Sequence, residues 1–97
     1  ESPMFHQNAF VELNQCLKRI FGQKNVHTSL FHATSYPSGM WSIQMSCKSS
    51  KHPVKDFDSE KAREFAAKNK LQYYNEALHV GAYQLPTFVR EMINEGK

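Results

Sequence analysis

The chain has 97 residues, 40% of them hydrophobic and 12% aromatic, and twelve Lys and Arg against nine Asp and Glu give it a net charge of +3. That apolar content excludes a disordered tail, yet a chain of this size buries only about 60 to 65% of its unfolded surface, so its core is thin and rests on seven Phe, four Tyr and one Trp. No apolar run reaches the roughly 18 residues of a membrane span, no basic-then-apolar leader is present, and the basic residues are scattered, so a soluble, cytoplasmic domain without membrane or nucleic-acid partners is expected.

The first residues, ESPMF, begin without an initiator Met and run straight into a helical pattern, which reads as a segment cut from something longer. From Asn8 to Phe21 the apolar residues Ala9, Phe10, Leu13, Cys16, Leu17, Ile20 and Phe21 form one helical stripe, with Asn8 as the expected cap and Gly22 as the stop. Two strands are predicted next. The first covers Asn25 to Ser35, rich in β-branched and aromatic residues; in the second, Trp41, Ile43, Met45 and Cys47 alternate with Ser42, Gln44 and Ser46. Between them Tyr36-Pro37-Ser38-Gly39 fits a type I turn, because proline presets φ at the second position and glycine suits the fourth. The result is an antiparallel hairpin whose apolar alternation is expected to face the core.

The segment KSSKHPVKDF reads as an exposed connection. A second helix follows, capped by Asp58 or Ser59, with a short apolar face of Ala62, Phe65 and Ala66. A third, brief helix is predicted around Asn75 to Val80, and a fourth begins at Pro86 and carries Phe88, Val89, Met92 and Ile93 at helical spacing up to Gly96. Two strands alone do not make a stable sheet, so the hairpin must dimerise or pair with strands from elsewhere.

Few residues carry chemistry. Five histidines and two cysteines raise the question of a metal, but Cys47 and His52, or His27 and His32, are five apart and match no ligand spacing, so no metal site is expected. Cys16 and Cys47 read as buried reduced thiols, a disulfide between them being the other reading, and neither has the surroundings of a nucleophile. The four glycines are isolated and build no phosphate loop. Trp41 and Phe31 lie on the hairpin, but almost no basic residue accompanies them before Lys48, which speaks against nucleic acid. Tyr36 is different: at the tip of a rigid hairpin it either plugs the end of the core or presents a free hydroxyl to a ligand. Trp41 has the same two readings, core residue or pocket wall.

Taken in order, SYPSG from Ser35 to Gly39, the strand ending MSCK from Met45 to Lys48, and LQYYNEALHVGAYQLPTFV from Leu71 to Val89 resemble the C-terminal part of the spermidine synthases, a family of polyamine aminopropyltransferases. Tyr73-Tyr74-Asn75, His79, Ala82-Tyr83, Leu85-Pro86 and Phe88 carry the last of these stretches, and Glu1-Ser2 looks like the end of the family's QGES segment. The resemblance implies an α/β fold: residues 1–97 as the C-terminal segment of a class I methyltransferase-like Rossmann domain, a helix, then an antiparallel β-hairpin, then C-terminal helices.

It further implies transfer of the aminopropyl group of decarboxylated S-adenosylmethionine to putrescine, giving spermidine, in an enzyme that acts as a homodimer and needs no metal. Tyr36, Pro37 and Trp41 are the substrate-binding residues so implied. No catalytic residue falls within the chain, because the family's acidic residues, nucleotide-binding glycine motif and substrate-binding Gln lie upstream of Glu1, and the segment alone is expected to be inactive. The sequence departs from the family at Trp41, where a small or aliphatic residue is usual, at Met40 and Ser42, and at Ala33-Thr34, which lacks a proline. An indole at Trp41 shortens or reshapes the acceptor pocket and bears on which amine is taken. The alternative is a non-catalytic binding or interaction domain that keeps the same fold.

Overall fold

The computed structural model describes residues 1–95. The first helix, α1 (Gln7–Phe21), presents Phe10 and Asn14 as its buried residues. Its start differs from expectation. His6, not Asn8, is the capping residue and no side chain caps the helix. The chain instead folds through a turn just before it, in which Ser2 Oγ accepts the N–H groups of Met4 and Phe5, each at 3.2 Å, and His6 N–H donates to the Ser2 carbonyl at 2.9 Å. Gly22 does end α1, as expected, with φ +95° and its N–H on the Lys18 carbonyl; that positive φ is open to glycine at little cost.

After a 3-10 turn at Gln23–Asn25, the strands β1 (Val26–His32) and β2 (Met40–Ser46) pair antiparallel, Phe31 opposite Trp41, Leu30 opposite Ser42 and Thr28 opposite Gln44. β1 stops short of its predicted end at Ser35 because residues 33–39 are taken up by two turns, while β2 begins one residue before Trp41 and ends one before Cys47. Tyr36 N–H donates to the Ala33 carbonyl at 3.0 Å, and Gly39 N–H to the Tyr36 carbonyl at 3.2 Å. The second turn is not the expected type I. Ser38 has φ +71° and Gly39 φ +68°, which puts a positive φ at the third turn position, the signature of type II. A serine held there is strained, and its hydroxyl shows what holds it: Ser38 Oγ donates to the Met40 carbonyl at 3.2 Å and meets Ser2 Oγ at 2.9 Å.

The hairpin is also turned over relative to its apolar pattern. Thr28 and Ser42 are buried, while Ile43 is 57% exposed. The face packed on α1 is thus the polar one. Asn14, 2% exposed, donates from Nδ2 to Gln44 Oε1 at 2.9 Å, and Thr28 Oγ1 donates to the same oxygen at 2.9 Å. These bonds offset part of the cost of burying polar groups on this face, where Gln44 Nε2 and Ser46 Oγ are buried without a hydrogen-bond partner among the described residues. Phe10 and Val89 are fully buried at the centre of the molecule.

The remaining helices are α2 (Ser59–Lys68), α3 (Glu76–Gly81) and α4 (Thr87–Glu95). Asp58 caps α2 by accepting Lys61 N–H at 3.1 Å, and Asn75 caps α3 by accepting Leu78 N–H at 2.7 Å. Pro86 precedes α4, its carbonyl accepting the N–H groups of Val89 and Arg90, both at 3.1 Å, while the expected stop at Gly96 lies outside the described residues. On the apolar face of α2, Ala62 and Ala66 are half-buried while Phe65 is 60% exposed. Cys16 and Cys47 are both free thiols, and each is half-buried rather than buried.

The order helix, hairpin, helices is the one expected, an α/β arrangement. It forms a slab of 40 × 34 × 19 Å with a radius of gyration of 14.5 Å, where about 12.5 Å is usual for a domain of this length. Its accessible surface of 6862 Å² exceeds the roughly 5700 Å² of a globular monomer of this mass. No helix among the described residues is long and apolar enough to cross a membrane.

Candidate functional site

The tip of the hairpin gathers the three residues singled out from sequence. Pro37 fixes φ at the second position of the turn, and its carbonyl accepts the Trp41 indole N–H at 3.3 Å. Trp41 thereby lies against Tyr36, the two rings edge to face with centroids 5.2 Å apart. Tyr36 is 56% exposed. Its hydroxyl meets no partner among the described residues, so it is available to a ligand, and it does not plug the core. Trp41 is half-buried, between the two readings the sequence allowed.

A third aromatic ring completes the cluster. The His6 imidazole centroid lies 5.6 Å from that of Trp41, and its Nδ1 is 3.9 Å from a carboxylate oxygen of Glu1. Sequence reading missed His6 because no spacing joins it to the hairpin; the turn closed by Ser2 brings it there. Glu1 is anchored in turn, its carbonyl accepting both the Ser42 N–H at 2.9 Å and the Ser42 hydroxyl at 2.6 Å. The arrangement is an exposed aromatic corner with one carboxylate beside it. Such a corner can receive an alkylammonium chain, the rings covering its methylenes and cationic end and a hydroxyl orienting the amine.

The stretch from Leu71 to Val89 has a different use. His79 stacks flat on Phe57, centroids 3.7 Å apart. Its Nε2 donates to the Pro53 carbonyl at 2.9 Å, which leaves Nδ1 to accept the Tyr74 hydroxyl at 3.0 Å. Leu30 N–H donates to the Ala82 carbonyl at 2.9 Å, and the Tyr83 hydroxyl points to Met45 Sδ at 3.9 Å. These residues pin α3 to the outer edge of β1 and to the 52–57 loop. Between them and the hairpin lies a hollow of about 500 Å³ bordered by Phe31, Ile43, Tyr74, Ala82 and Tyr83.

His27, Cys47 and Glu76 have shifted titrations. Partial burial, aided by the neighbouring His52 with ring centroids 4.5 Å apart, lowers the pKa of His27. Hydrogen bonds from the Ser49 hydroxyl and backbone, with Lys51 adding its charge, lower that of the Cys47 thiol. A backbone hydrogen bond and then Arg63, whose Nε is 3.3 Å away, lower that of Glu76. No group of three or more His, Cys, Asp or Glu among the described residues is placed to hold a metal ion.

No family model matches the chain. It is 38% identical over 96 residues to a polyamine aminopropyltransferase of Clostridium beijerinckii, covering 97% of this chain and 32% of that protein. It is 40% identical over 98 residues to one from Alkaliphilus metalliredigens, covering 99% of this chain and 33% of that protein. The chain therefore spans about a third of the length of the curated relatives it matches. A crystal structure of spermidine synthase from Thermotoga maritima superposes on 97% of the chain with a TM-score of 0.85 and 36% identity, using 31% of its own chain. In sequence and in fold, over nearly all of its residues, the chain is similar to one third of a polyamine aminopropyltransferase.

Proposed function

We propose that residues 1–97 are the C-terminal segment of an aminopropyltransferase catalytic domain of the Rossmann-like, methyltransferase type, and that the complete protein converts putrescine to spermidine. A putrescine nitrogen attacks the aminopropyl carbon bonded to the sulfonium of decarboxylated S-adenosylmethionine. A C–N bond forms, the C–S bond breaks with its electron pair going to sulfur, and neutral methylthioadenosine leaves. The attacking amine must be neutral and must lose one proton to a nearby carboxylate, the group best suited to hold a polycation and act as base. In this reading the base and the donor-binding residues belong to the rest of the enzyme.

This segment supplies one wall of the acceptor site. The Tyr36 hydroxyl orients the amine; a phenol ionising near pH 10 is a poor base at neutral pH, so it does not take the proton. Pro37 holds the turn and Trp41 closes the wall. The observation that carries the reading is the identity of 38 to 40% along almost the entire chain to proteins named for this activity. A cytoplasmic homodimer is part of the same proposal. The test is to incubate the complete protein with decarboxylated S-adenosylmethionine and each of putrescine, cadaverine and spermidine, measuring methylthioadenosine. Release with putrescine is expected; no release with any amine, while the protein still binds one, would leave the non-catalytic binding domain in its place.

A further inference from the structure

We infer that Ser2 is a positioning residue for the amine site, acting through a directed chain of hydroxyls on the turn that carries Tyr36. The inference rests on the reading of that turn as the acceptor wall. Ser2 is fully buried, and its hydroxyl oxygen receives the N–H groups of Met4 and Phe5, each at 3.2 Å. Ser38 Oγ spends its proton on the Met40 carbonyl at 3.2 Å, so in the 2.9 Å contact between the two hydroxyls Ser2 must be the donor. The proton order is then fixed from end to end: backbone N–H to Ser2, Ser2 to Ser38, Ser38 to Met40.

The chain ends where the backbone is strained. Ser38 holds φ +71°, a conformation that costs a non-glycine residue on the order of 1 kcal/mol and that persists only when its surroundings impose it. Pro37 and Tyr36 precede it directly, and Trp41 is hydrogen-bonded to Pro37. If the Ser2 hydroxyl is removed, Ser38 loses one of its two partners and keeps only the Met40 carbonyl, the turn can relax toward negative φ, and the Tyr36–Trp41 corner loses its fixed separation. Ser2 touches no substrate itself. Its effect falls on how the amine is seated.

The experiment compares Ser2→Ala, Ser38→Ala and the double variant in the complete protein. The first readout is solvent exchange of the Trp41 indole proton, which reports the turn whether or not the protein is an enzyme; the second is the KM for putrescine against kcat and the KM for the nucleoside donor. Exchange should quicken, and the KM for putrescine rise, by about fivefold in each single variant, with kcat and donor KM within about twofold of wild type. The double variant should be no worse than either single one, because both break the same chain. Ser38 is exposed, so its variant remains informative if Ser2→Ala fails to fold. Unchanged indole exchange in Ser38→Ala, or effects that add in the double variant, would overturn the inference. An inactive wild type with quickened exchange in the variants would instead retain the chain of hydroxyls and remove the proposed reaction.

Discussion

Tyr36 was legible in the sequence because a turn signature surrounds it, and its place at an exposed tip follows from that turn. The expected turn type was wrong because the residue that decides it, Ser2, is 36 positions away. Tyr36→Phe in the complete protein removes only the hydroxyl, which meets no partner among the described residues. It should lower kcat/KM for the amine by a factor worth about 1 to 2 kcal/mol and leave the melting temperature unchanged. Trp41 separates two effects. Being half-buried, Trp41→Ile should cost about 1 to 2 kcal/mol of stability, less than the loss at a full core site. It should also shift the ratio of kcat/KM between putrescine and spermidine about tenfold, as it enlarges the corner beside Tyr36. A stability loss with an unchanged ratio would make Trp41 a packing residue only.

At the scale of elements, periodicity located all four helices and both strands to within a few residues, since each pattern is local. Which face of the hairpin turns inward was not local. Alternation pointed to Trp41, Ile43 and Met45, but Asn14 on α1, 30 residues before Gln44, supplies a hydrogen bond that makes the polar face the better fit. Asn14→Ala should therefore destabilise the protein by about 1 to 3 kcal/mol, read from denaturant midpoints, because it removes a buried side chain and one of the two hydrogen bonds that Gln44 Oε1 accepts, leaving Thr28 as its remaining partner. β1 and the 52–57 loop should be sensitive to acid through His27. Its pKa is lowered in the folded state, so the unfolded chain, with a value near 6.5, binds the proton more readily. Stability is full above about pH 6.5 and falls as the pH drops through the folded value. His27→Gln should flatten that fall in melting temperature between about pH 7.5 and 5; an equal fall in both proteins would put the sensitivity elsewhere.

For the whole molecule, the slab is only 19 Å thick and its accessible surface is large for its mass, the shape that the proposed C-terminal segment would have as one layer of a larger domain. Among the described residues only Phe10 and Val89 are buried hydrophobic residues, while Phe65, Ile43 and Tyr73 stand more than half exposed. Residues 1–97 expressed alone should bind a hydrophobic dye and unfold without a cooperative transition. A sharp transition in a monomer would show that the layer is self-sufficient, against the proposed fragment. Shape of this kind was not legible in the composition, which is ordinary for a globular domain; the count of only two strands already called for a further neighbour, and the exposed apolar side chains on the helices and the hairpin add to it.

The hydrogen bond that ties the Trp41 indole to the Pro37 carbonyl has an optical consequence. The chain contains one tryptophan, so in a protein with no other, emission excited at long wavelength would come from the hairpin tip alone. Tyr36, whose ring centre is 5.2 Å from the indole, would pass its own excitation to it rather than fluoresce. The colour and yield of that emission then follow the hydration of this corner, so titrating unlabelled putrescine into the complete protein would display the seating of an amine without any added chromophore.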